Sequence, residues 1–187
     1  MFVLRNYRKG DFEVLYAIDR ECFDPGIAYS RSELQSFIER KQSFCIVAEV
    51  QAGAIATQDP NSTEEVLPAA RGGNPKPEIL HPSKRERVCR GPRIAGFILI
   101  EIHHQGYGHV ITIDVPREHR RRRLGTLLLQ AAEERVRKIG GFMMVLETAV
   151  NNDAALAFYK THKYKVIHRL PGYYGKRLDA WFLSKRL

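Results

Sequence analysis

Apolar positions recur along this chain with two different periods, and the switches between them mark out its elements. Val3 to Tyr7, Phe44 to Val50 and Arg93 to Ile102 read as strands. Asp11 to Cys22 reads as a helix, followed by a short one around Ser32 to Lys41. The best-supported helix comes later, where Leu124, Leu127, Leu128, Ala131, Val136 and Ile139 fall at three- and four-residue spacing and form one apolar stripe. On its outer face Glu133 with Arg137 and Glu134 with Lys138 are i,i+4 pairs. Gly140 and Gly141 supply a left-handed stop, and the run Phe142 to Leu146 then reads as a buried strand. Asn152 caps a further short helix whose packed face is Ala155, Leu156, Phe158 and Tyr159, and a last strand spans Leu178 to Leu183.

One stretch breaks the alternation. Residues 51–92 hold six of the nine prolines and no aromatic residue, so they cannot bury enough apolar surface to order firmly. They read as a flexible insertion between two strands, at a place where loop length costs little, and the rear half, KRERVCRGPR, is basic. The remainder reads as one α/β domain over residues 1–187.

The chemistry concentrates in HVITIDVPREHRRRRLGTLLL. An apolar strand passes through a polar turn and four arginines, Arg120 to Arg123, into the long helix. The first N–H groups of a helix have no partner inside it and carry partial positive charge, so this junction offers an anion both backbone donors and cations. No GxxxxGK[ST] and no GxGxxG occurs, which argues against a P-loop triphosphatase and a dinucleotide fold.

HRRRRLGTLLL resembles the coenzyme A pyrophosphate loop of the GNAT acetyltransferases: Gln or Arg, two residues, Gly, one residue, then Gly or Ala. Arg120 takes the first position, Gly125 the last, and Arg123 stands where the family keeps glycine. The Arg123 side chain must therefore point away from the ligand or fold over a phosphate oxygen as a clamp. A second segment, VNNDAALAFYKTHKYKVI, resembles the family's next motif at Asn152, Ala155 and Tyr159. The nearest resemblance is to the ribosomal-protein alanine N-acetyltransferases and their relatives that modify protein N-termini. LET at Leu146 to Thr148 and HRLPGYYG at His168 to Gly175 belong to it as well.

The resemblance implies the GNAT fold, a mixed sheet of about seven strands flanked by about four helices. It implies acetyl-CoA as co-substrate, held by Ile113, Asp114 and Val115 of the strand, by Arg120, Arg121, Arg122, Arg123, Leu124, Gly125 and Thr126 of the loop and helix start, and by Asn152. It implies Glu147 as general base and Tyr159 as the acid that protonates the leaving thiolate, with His109 ranked second to Glu147 as base or water-orienting group. Tyr173 and Tyr174 would wall in the first residues of a peptide, with the loop Phe23 to Ser30, including Tyr29, opposite.

The expected reaction is acetyl transfer to a protein N-terminal α-amine, such as the N-terminal alanine of a ribosomal protein. Two alternatives remain open: transfer to a lysine or small amine, and a ribosome- or nucleic-acid-binding module on the same fold. The net charge of +9 suits a polyanionic cofactor, nucleic acid or acidic peptides alike. Neither basic run carries the base-stacking aromatics that would favour nucleic acid. The three cysteines, Cys22, Cys45 and Cys89, show no disulfide or zinc spacing, and no metal is expected. No apolar stretch reaches membrane-spanning length and the first residues lack a signal-peptide run. The expectation is thus a cytoplasmic, monomeric enzyme with no membrane partner.

Overall fold

In a computed structural model the described residues are 1–51, 93–175 and 178–187. The insertion expected at 51–92 falls outside them apart from Gln51. Residues 1–51 and 93–187 form one compact unit. It contains seven strands: β1 (Phe2–Asn6), β2 (Ser43–Val50), β3 (Arg93–His103), β4 (Tyr107–Asp114), β5 (Met143–Ala149), β6 (Lys165–Leu170) and β7 (Ala180–Arg186). Four α-helices accompany them: α1 (Phe12–Cys22), α2 (Arg31–Glu39), α3 (Leu124–Lys138) and α4 (Asp153–Thr161).

The strands make a single sheet in the order β1-β2-β3-β4-β5-β7-β6. Only β4 and β5 run parallel, and every other neighbouring pair is antiparallel. Helices cover both faces. Leu15, Ile18 and Leu34 of α1 and α2 pack on Cys45, Val47, Phe97 and Leu99, while α3 and α4 pack on Ile98, Ile100, Met144 and Leu146.

The α3 stripe departs from the expected one. Its buried positions are Leu124, Leu128, Leu129, Ala132, Glu133 and Val136, whereas Leu127 and Ile139 are exposed. The packed row follows i,i+4 steps, so the contact surface lies one residue around from the apolar stripe. Glu133 is accordingly not an outward residue. It is 3% exposed and accepts hydrogen bonds from Lys185 Nζ at 2.6 Å and Tyr164 Oη at 3.1 Å, tying α3 to β7 and to the turn between α4 and β6. The Glu134–Lys138 pair does lie outside, at 3.5 Å.

Two differences concern strands. β7 begins at Ala180 and continues to Arg186, beyond the expected Leu183. β6 has no buried face, because Lys165, His168 and Arg169 interrupt its apolar residues, and it holds its place at the sheet edge through β7. Its alternation therefore carries no signal.

Two irregularities in β4 interrupt the regular ladder of the sheet. Ile100 pairs with Val110 but Leu99 pairs with Thr112, so Ile111 is an extra residue, a β-bulge. On the other side β4 pairs with β5 only at Tyr107–Met143, Gly108–Met144 and His109–Val145. Beyond His109 the two strands part, β5 staying with β7 as far as Ala149–Ala180.

Candidate active site

The gap between β4 and β5 opens a cleft of about 680 Å³. Its walls come from the parted strands, the arginine loop, the start of α3, and α4. Backbone groups of β4 past His109 have no strand partner on the β5 side, so a bound chain can take hydrogen bonds there as a strand would.

At one end lies the arginine loop. Arg121 and Arg123 adopt left-handed conformations, with φ of 60° and 61°. This supplies a reason for the family's glycine at the position of Arg123 beyond close approach to a ligand: the turn into α3 is left-handed, and a side chain there costs about 1 kcal/mol. The run of four arginines divides. Arg120, Arg121 and Arg123 line the cleft, and Arg120 Nε donates to the Val115 carbonyl at 2.8 Å, bracing the loop against the end of β4. Arg122 points elsewhere, its guanidinium 4.9 Å from the Phe2 ring centre. A left-handed turn entering a helix N-terminus, with three cations around it, is a place for phosphate oxygens.

Leu124, Gly125 and Thr126 continue the lining, and a Cβ at Gly125 would meet the Phe158 ring at 3.4 Å. Asn152 lines the cleft while capping α4, its Oδ1 accepting from the Ala155 N–H at 3.0 Å. Tyr159 closes the cleft floor with its ring buried against Phe158 and Tyr164. Burial pushes its hydroxyl above the ordinary phenol range, so it stays protonated.

At the other end side chains from separate elements meet. Glu147 of β5 accepts from or shares a proton with His109 Nε2 at 2.6 Å. Tyr29 packs across from them, its hydroxyl donating to the Ile111 carbonyl at the bulge, 3.1 Å away, and its N–H donating to Asp19 Oδ2 at 3.0 Å. Tyr174 lines the cleft and Tyr173 stands against it, ring planes at 83° and centres 4.9 Å apart. Burial, then the Glu147 carboxylate, push the Tyr173 hydroxyl up to about 12.

Under the Tyr29 wall sits a buried acid pair. Burial raises the Asp19 carboxyl to about 6 and raises Asp114 well above the usual carboxylate range. Asp114 accepts from Thr112 Oγ1 at 2.5 Å, and its other oxygen and Asp19 Oδ1 have no partner among the described residues.

The structure thus brings Ile113, Val115, Arg120, Arg121, Arg123, Leu124, Gly125, Thr126, Glu147, Asn152, Tyr159, Tyr29 and Tyr174 onto one cleft. It does not place Asp114, Arg122, His109 or Tyr173 on the cleft wall. Asp114 faces the core beneath α1, Arg122 faces Phe2, and His109 and Tyr173 reach the site through Glu147 and Tyr174. Cys22, His119 and Phe158 line the cleft as well, and no motif marks them for it. Burial pushes the Cys22 thiol up to about 12, which favours its protonated form.

Residues 85–164 match the Acetyltransferase (GNAT) family, and the seven-stranded mixed sheet with its four helices is the GNAT fold. The N-alpha-acetyltransferase of Saccharolobus solfataricus is 33% identical over 81 residues, 43% of this chain and 48% of that protein. The chain spans about half the length of the curated relatives it matches. Among solved structures, the ribosomal-protein-S18-alanine N-acetyltransferase from Escherichia coli superposes with a TM-score of 0.70 at 16% identity, covering 100% of this chain and 94% of that one. Arabidopsis thaliana NAA60 in complex with acetyl-CoA gives 0.71 at 15% identity, covering 100% and 99%. At such identities these likenesses speak for the fold.

Proposed function

We propose that this chain transfers an acetyl group from acetyl-CoA to the α-amine at a protein N-terminus. The observation that carries the reading is the parted β4–β5 pair, with a cationic helix entrance at one end and the Glu147–His109 pair between tyrosine walls at the other.

The donor set fits coenzyme A. Arg121, Arg123 and the N–H groups opening α3 hold the diphosphate, and the unpaired stretch of β4 at Ile113 and Val115 holds the extended arm. Acetyl-CoA supplies the activated acyl group, and the side chains manage protons around it. An N-terminal ammonium has a pKa near 8, so most of it cannot attack at neutral pH. Glu147, oriented by His109, takes the first proton. As the N–C bond forms and the C–S bond breaks, Tyr159 gives its proton to the departing sulfur. The nitrogen loses two protons in all: one balances the Tyr159 donation through solvent, and the other is released. Backbone N–H groups of β4 hold the charge that develops on the carbonyl oxygen.

Tyr29, Tyr173 and Tyr174 form an aromatic mouth suited to a peptide end. Among the described residues lining the cleft, Glu147 is the one carboxylate, which is too little negative charge for a polyamine. The relatives' common name supports the α-amine as acceptor. The N-terminal alanine of a ribosomal protein is the first acceptor to try. Thiol release should be followed with peptides whose N-termini are free or blocked. Free peptides should turn over and blocked ones should not. Equal turnover of blocked, lysine-containing peptides would end the N-terminal reading.

A further inference from the structure

Next to this site, on the part of the sheet that α1 and α2 leave uncovered, three metal-ligating side chains stand together. Glu101 of β3 is directly across from His109 of β4, and His103 is across from Tyr107, two residues along. One ligand atom from each of Glu101, His103 and His109 lies within 4.8 Å of the others. The His103 ring is stacked on Tyr107, centres 4.4 Å apart and planes at 10°, which fixes its direction. Its Nε2 is buried and has no hydrogen-bond partner among the described residues, with Glu101 Oε2 3.9 Å away.

We propose that Glu101, His103 and His109 form a site for a zinc-class divalent metal. Two imidazoles and a carboxylate, with a fourth position open to water, are a donor set that suits borderline metals such as zinc. Bonds of about 2.1 Å place tetrahedral ligands about 3.4 Å apart, so rotation of side chains on rigid strands closes the remaining distance. His109 is already prepared. Glu147 engages its Nε2 at 2.6 Å, which leaves Nδ1 for the metal and puts a carboxylate behind the ligand, the usual outer partner of a metal-bound imidazole. Arg40 binds both oxygens of Glu101, at 2.9 and 3.0 Å, and is the cation that an incoming metal must share them with. The metal site does not rest on the proposed function.

The test is calorimetric titration of the chelator-stripped full chain with Zn²⁺. One equivalent should bind, and His103→Gln and Glu101→Gln, each removing a direct ligand, should weaken it by more than the roughly 10- to 100-fold that loss of an outer partner costs. Absence of saturable binding, or binding that survives both substitutions, overturns the site. Should either variant fail to fold, Co²⁺ added to the unsubstituted chain decides: a spectrum of nitrogen and oxygen ligands supports the site, and a thiolate charge-transfer band overturns it. Peptide acetylation is measured on the metal-free chain in parallel. Its failure there counts against the proposed function and not against the metal titration.

Discussion

The two ends of the cleft are built on different principles. The loop end is made mainly by backbone: two left-handed residues, a helix N-terminus and a strand that has lost its neighbour. The mouth is made by side chains from elements far apart in sequence, with Tyr29 before α2, His109 on β4, Glu147 on β5, and Tyr173 and Tyr174 before β7. A backbone site tolerates changes of side chain, as Arg123 in a glycine's place illustrates. A side-chain site does not, because each group reaches its neighbour through one contact.

The largest test of that contrast is at the mouth. Glu147→Gln should lower turnover of a free N-terminal peptide by more than about a hundredfold, the scale of a lost general base. A loss under about threefold would make the Glu147–His109 contact merely structural. Tyr159→Phe should follow with a loss of about tenfold or more in kcat, leaving the KM for acetyl-CoA unchanged. A raised KM with normal kcat would move Tyr159 from proton transfer to binding.

The loop end should respond more mildly. Arg123→Gly relieves a left-handed side chain, so stability in urea should rise by about 1 kcal/mol. Acetyl-CoA affinity, measured separately, should fall if the side chain clamps a phosphate, and a tighter complex would dismiss the clamp. The smallest effect concerns the support beneath Tyr29. Burial raises Asp19 from 3.8 to about 6, so between those values the folded chain keeps a proton that the unfolded chain has lost. Asp19 therefore makes stability fall as pH rises across that window, and contributes no slope above it. Asp19→Asn, whose amide oxygen can still accept from the Tyr29 N–H, should flatten urea midpoints compared at pH values inside and above the window. An unchanged slope would assign the pH response to other groups, Asp114 first.

The same contrast explains what could be read from residues alone. The loop end is contiguous, and its helix, its stop and its anion-binding junction all follow from local patterning between His109 and Gly141. The mouth has no local pattern. Glu147 and Tyr159 were reached through a family resemblance, and the loop around Tyr29 carried no specific signal until its hydroxyl met Ile111. Glu101 and His103 were invisible for the same reason, since cross-strand register, and not spacing, sets them beside His109. Glu133 looked solvated because i,i+4 spacing to Arg137 says nothing about Lys185 arriving from β7. The membrane expectation has a limited counterpart: no helix among the described residues is long and apolar enough to cross one.

The extra residue at Ile111 acts as a phase inverter. Before it, Glu101 pairs with His109, so odd-numbered residues of β4 share a face with odd-numbered residues of β3. After it, Leu99 pairs with Thr112 and Phe97 with Asp114, and even-numbered residues take over that face. The Asp114 carboxyl is thereby turned under α1 while Ile113 and Val115 are turned toward the cleft. A β4 shorter by this one residue would exchange the two sets, setting the Asp114 carboxylate on the cleft wall in place of Ile113 and Val115. A single peptide unit separates a cleft wall with one carboxylate, Glu147, from one with two.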